Sequence, residues 1–84
     1  MQAVALPELR RTLWRCRRGM KELDILLGRF ARGALPSAAP LERALFEGLL
    51  ECPDPQLAGY LLGGEVPADA AVAALVRRIR SYVA

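Results

Sequence analysis

The reactive side chains of this 84-residue chain make a short inventory, and what is missing from it decides a great deal. There is no histidine, so neither a histidine general base nor a Ser/His or Cys/His nucleophilic pair can be assembled. Tyrosine apart, the hydroxyl side chains are Thr12, Ser37 and Ser81, and none lies near a candidate base in the sequence. The two thiols, Cys16 and Cys52, lack Cys-x-x-Cys spacing and read as reduced structural residues. Two distant thiols with scattered carboxylates match no structural zinc spacing. "LGGEV" fits neither a P-loop nor a dinucleotide fingerprint. Glu22 and Asp24 stand two apart, so on a helix they diverge rather than pair. The inventory argues against an enzyme and predicts no bound metal or cofactor.

What remains is a surface. "WRCRRGMKELD", residues 14–24, gathers three arginines, a lysine and two carboxylates around Gly19, next to the single tryptophan. Arginines at a helix end complement the macrodipole, and acids suit the first turn of the next helix, so a plain helix junction accounts for much of this pattern. The ordinary expectation for Trp14, at the border of an apolar stripe, is partial burial. Yet Arg and Trp are also the residues most enriched in interface hot spots, and a glycine lets a partner's backbone come close. Trp14, Arg17, Arg18, Gly19, Glu22 and Asp24 are therefore the candidate partner-binding residues, with Arg18 offering a bidentate donor and Glu22 an acceptor.

The elements that must position this stretch read as five helices. The first spans about Pro7 to Arg17, with Leu6, Leu9, Leu13 and Cys16 as its stripe. Gly19 breaks it, and the second starts near Met20 with Leu23, Leu26, Leu27 and Phe30 inward. Gly33 suits a helix C′ position and Pro36 blocks continuation, so "GALPSAAP" reads as a loop. A third helix covers about Pro40 to Glu51, with Leu41, Leu45 and Leu49 inward and Phe46 and Leu50 widening the stripe. Asp54 as N-cap and Pro55 at N1 open a short fourth helix carrying Leu57, Tyr60 and Leu61, which stops at Gly63-Gly64. "VPAD" opens the fifth, faced by Val72, Leu75, Val76, Ile79 and Val83. Short connections and the absence of strand alternation predict a small all-α, five-helix bundle, one domain over residues 1–84.

Composition agrees. A hydrophobic share of 54% with 25% charged residues is that of a folding chain. No apolar run reaches the length of a membrane span, and the first residues lack a basic region ahead of an apolar one. A cytoplasmic, monomeric protein that does not insert in a membrane is the expectation. The net charge of +3 conceals a division. Residues 1–32 carry eight bases and three acids, residues 33–69 one base and six acids, and residues 70–84 three bases. The alternative function, a small nucleic-acid-binding or regulatory bundle using Arg10, Arg11, Trp14 and Arg17, is opposed by the acidic middle and by Lys21 being the sole lysine.

Arg18, Gly19 and Glu22 form Arg-Gly-x-x-Glu, followed by Asp24 and preceded by "WRC". With this signature the chain resembles the succinate dehydrogenase flavinylation factors, small bacterial FAD assembly factors related to mitochondrial succinate dehydrogenase assembly factor 2. "FEGLLECPDPQLAGYLLGG", "PADA" and "LVRRIR" agree in order and spacing, so the resemblance covers nearly the whole chain. It departs where the family reads Asp-x-Asp-Leu-x-x-Trp-Leu: Gln56 replaces the second acid and Tyr60 the tryptophan. The resemblance implies a five-helix assembly chaperone that binds the flavoprotein subunit of succinate dehydrogenase, and in many bacteria that of fumarate reductase. It implies that the factor promotes covalent attachment of FAD to a histidine of that subunit, with Arg18, Gly19 and Glu22 docking near the flavin site. The chain itself is expected to bind FAD weakly or not at all.

Overall fold

The computed structural model describes residues 6–82. Its helices are α1 (Leu6–Arg15), α2 (Lys21–Gly33), α3 (Pro40–Leu50), α4 (Asp54–Leu61) and α5 (Ala70–Ser81), and a short 3₁₀ helix (Leu35–Ser37) lies between α2 and α3. The described residues contain no strand, and the architecture is the all-α bundle that the apolar spacing predicts.

Helix α2 is the hub. It packs against α1, α4, α5 and the 3₁₀ helix, while α5 also lies on α3 and α4. The reason is its sequence: Leu23, Leu27, Phe30 and Ala31 recur at helical spacing and all are fully buried. They meet Phe46, Leu49 and Leu50 of α3, Leu57 and Leu61 of α4, and Leu75, Val76 and Ile79 of α5 in one core. The Phe30 and Phe46 rings stack with centroids 5.6 Å apart, and Tyr82 meets Phe30 edge-on at the same separation. Half-buried Tyr60 packs on the same core, and its hydroxyl accepts a hydrogen bond from Gln56 Nε2 at 2.8 Å. The two family departures thus satisfy each other.

Several local expectations are revised. Leu41 is 70% exposed rather than inward-facing. Each i+4 step turns a helix about 40° past a full circle, so the line Leu41–Leu45–Leu49 drifts, and only its far end reaches the core. Asp54 is the first residue of α4 rather than its cap, with Pro53 at the N-cap and no side-chain capping bond. Asp69 does cap α5, accepting from the N–H groups of Ala71 and Val72. "GALPSAAP" is partly ordered as the 3₁₀ helix, because Leu35 is drawn into the core. Gly33 ends α2 without a left-handed conformation. Its lack of a Cβ serves packing, since such an atom would clash with the Tyr82 hydroxyl. Leu6 is exposed, and Val83 falls outside the described residues.

Charge distribution reinforces the packing. Arg15 of α1 bridges Glu47 and Glu51 of α3, Arg18 reaches Asp54, and Arg78 of α5 reaches Glu42. Each bond joins a basic end of the sequence to its acidic middle, so opposite charges far apart in the chain meet at these contacts.

Candidate functional site

The α1–α2 junction is built by three residues of the signature, each with a separate task. Helix α1 ends at Arg15, and Gly19 takes a φ of +85°, a region that a side chain makes unfavourable. The Asp24 carboxylate then reaches back from the first turns of α2. It accepts from the Arg18 N–H at 2.8 Å and the Gly19 N–H at 3.3 Å, which pins the reversal.

Arg18 ties this junction to the other half of the protein. Its Nε donates to Asp54 Oδ1 at 2.9 Å, and its Nη1 donates to the carbonyl of Arg15 at 3.0 Å. Its Nη2 donates to the carbonyls of Leu50 at 2.8 Å and Cys52 at 2.9 Å. These carbonyls lie at the C-terminal ends of α1 and α3, where helices leave acceptors without an intrahelical donor and where cations are favoured. The Arg18 side chain is only 15% exposed. The expectation that Arg18 offers its guanidinium fork to a partner is therefore corrected: the fork faces inward, holding the α3–α4 corner against the turn. The cause is geometric, since four acceptors already converge on it.

Trp14 departs from its expectation in the opposite sense, being 69% exposed. On α1 the buried residue is Thr12, and Cys16 just beyond the helix is buried as well. Trp14 lies two residues from each, about 200° around the helix, which turns it away from the core. Thr12 is held inward because its hydroxyl donates to Glu47 Oε2 at 2.6 Å. The Arg17 guanidinium lies 5.0 Å from the Trp14 ring centroid, a cation–π pair on open surface. Glu22 and Lys21 are exposed, and Glu22 has no hydrogen bond or ion pair among the described residues. A Cβ built on Gly19 would meet nothing within 4 Å, so the turn is open to approach. The exposed face of the junction thus carries Trp14 with Arg17 on its ring and Gly19 at the turn, and Glu22 is exposed at the start of α2. Arg18 and Asp24 hold the turn in shape from within.

A groove of about 280 Å³ runs between α1 and α2 beside this face, lined by Arg10, Leu13, Trp14, Cys16, Arg17, Asp24, Gly28 and Arg32. Sequence reasoning did not assign Gly28 or Arg32 to the partner-binding set. Gly28 carried a signal, because a glycine inside a helical pattern without a turn asks for a packing or functional reason. Cys16, at the groove floor, is buried, and burial together with Glu47 raises its thiol pKa from 9.0 to about 12. It therefore stays protonated and is a poor nucleophile. Among the described residues no cluster of three or more Cys, Asp or Glu could hold a metal, and no helix is long and apolar enough to cross a membrane.

Residues 10–83 match the family described as flavinator of succinate dehydrogenase. A protein of Shewanella oneidensis named FAD assembly factor SdhE is 38% identical over 81 residues, spanning 96% of this chain and 99% of its own. The protein of the same name from Methylococcus capsulatus is 45% identical over 73 residues, 87% of this chain and 88% of its own. That of Xylella fastidiosa is 43% identical over 77 residues, 92% of this chain and 79% of its own. With the family's match covering nearly all of the helices described above, the chain belongs to the flavinators of succinate dehydrogenase.

Proposed function

We propose that this protein is an assembly chaperone that binds the flavoprotein subunit of succinate dehydrogenase, and that of fumarate reductase where the cell makes one, and promotes covalent attachment of FAD. The observation that carries this reading is the α1–α2 face, where Trp14, Arg17 and Glu22 stand exposed although the fold makes no use of them. An exposed tryptophan with a guanidinium against its ring, near a turn open to close approach, has the make-up of an interface hot spot. The chain has no histidine, so the imidazole that receives the flavin belongs to the partner. The factor contributes binding free energy that favours the partner conformation competent for attachment. It works as a monomer in the cytoplasm, holds no cofactor of its own and binds FAD alone weakly.

The experiment is complementation. In cells lacking their own factor, covalent flavin on the subunit, read by in-gel fluorescence of the denatured protein, should return when this chain is supplied. Undiminished flavin without the factor, or none with it, refutes the proposal. Isothermal titration giving low-micromolar or tighter affinity for FAD alone would recast the protein as a flavin carrier.

A further inference from the structure

The α1–α2 groove narrows the chemistry of what docks on this face, on the reading above that the face binds a flavoprotein subunit. Its floor is apolar, with Leu13, Cys16 and Gly28, and its rim carries Arg10, Arg17 and Arg32. Among the described residues the ion pairs use Arg15, Arg18 and Arg78, and none uses a rim arginine. Asp24, the acid lining the groove, is held by the N–H groups of Arg18 and Gly19. Gly28 needs no positive φ, yet it occupies a helix interior, where glycine weakens a helix. A Cβ there would stand 3.2 Å from Arg32 Nη1, so the guanidinium lies across bare backbone at the floor. Trp14 stands on the wall with Arg17 against its ring.

Three cations without carboxylate partners around an apolar floor with an exposed indole define a complementary shape. We infer that the groove receives an acidic segment of the partner polypeptide, with carboxylates on Arg10, Arg17 and Arg32 and an apolar side chain against Leu13 and Trp14. Guanidinium groups suit carboxylates because their planar forks bind them bidentately. A nucleic-acid backbone suits the site less well. Asp24 lies in the groove wall and Glu22 stands free on the neighbouring turn, and both oppose a continuous line of phosphates. A peptide with a few spaced carboxylates avoids them. Arg10 and Arg32 are thereby specificity residues that the signature does not contain.

The test uses the full chain and the flavoprotein subunit of succinate dehydrogenase purified without covalent flavin. Arg10→Glu with Arg32→Glu should leave the melting curve unchanged and weaken binding by about tenfold or more, with a shallower dependence on salt. Independently, Lys21→Arg with Arg32→Lys makes the groove lysine the single lysine of the chain. A zero-length carbodiimide should couple it to an Asp or Glu of the subunit, located by mass spectrometry. If the wild-type chain does not bind the subunit at all, the docking reading falls and this inference with it. If it binds, but the double reversal binds equally tightly and the groove lysine couples to no carboxylate, only the inference is overturned. Displacement of the subunit by a single-stranded oligonucleotide held on the same arginines would overturn it in favour of nucleic acid.

Discussion

Replacing Arg18 by alanine should damage the fold before it damages docking. The guanidinium makes four hydrogen bonds, one of them to a carboxylate, on a side chain that is largely buried. Breaking a buried charge pair costs about 3–5 kcal/mol. Here Asp54 is 45% exposed and can be rehydrated, which lowers the figure, while the carbonyls of Leu50 and Cys52 lose a charged donor. About 2–4 kcal/mol is the resulting expectation. A domain of this size has a total stability of roughly 4–13 kcal/mol, so the loss is a large share. At roughly 4–8 °C per kcal/mol it lowers Tm by about 8–32 °C. Far-ultraviolet circular dichroism during urea and thermal unfolding reads this directly; tryptophan fluorescence is less suitable because Trp14 is already exposed. Arg18→Lys keeps the charge but cannot span four acceptors, and should fall between the alanine variant and wild type. An alanine variant melting within about 0.5 kcal/mol of wild type, as surface substitutions do, would refute the placement of Arg18 as an internal tie.

Other perturbations separate the turn, the groove and the thiols. Gly19→Ala should cost about 1–2 kcal/mol in urea unfolding, from its positive φ alone, since an added methyl meets nothing. Gly28→Ala should leave stability unchanged or raise it by up to about 1 kcal/mol through helix propensity, yet weaken binding to the flavoprotein subunit by filling the groove floor. In a native thiol titration at pH 8, half-buried Cys52 should react quickly and Cys16 only on unfolding. The folded protein holds the Cys16 proton up to about pH 12, whereas the unfolded chain releases it near 9.0. This contribution to stability is therefore intact below pH 9 and declines as pH rises from 9 toward 12, which alkaline unfolding curves of a Cys16→Ala control would isolate.

The helices were legible because their apolar residues recur at helical spacing, most clearly in α2, where Leu23, Leu27 and Phe30 are all fully buried. What escaped was rotation about each axis. Leu41 and Trp14 both sit within a few residues of core positions, and their exposure depends on how α3 and α1 are rolled against their neighbours. On α1 that roll follows from Thr12 and Arg15 engaging Glu47 and Glu51, 32 to 36 positions away. No local pattern encodes such pairs. Arg18 follows the same rule. A helix-end arginine next to a glycine looks exposed until Asp54 and the carbonyls of Leu50 and Cys52 close around it. The signature marked the α1–α2 junction, but which of its residues build that surface and which are presented by it is a tertiary property. Gly33 shows this in miniature: its sequence suits a cap, and the fold uses it to admit Tyr82.

The central claim is that the exposed α1–α2 face, rather than the stability of the bundle, carries the function. An assay combining purified flavoprotein subunit, FAD and this chain tests it most directly, by following covalent flavin on the subunit alongside the melting curve of each variant. Trp14→Ala and Glu22→Ala should melt within about 0.5 kcal/mol of wild type and still lose most of the stimulation, as hot-spot truncations costing about 2 kcal/mol or more in binding do. Full stimulation by both variants at normal stability would contradict the account and reduce residues 14–24 to a solvated helix junction.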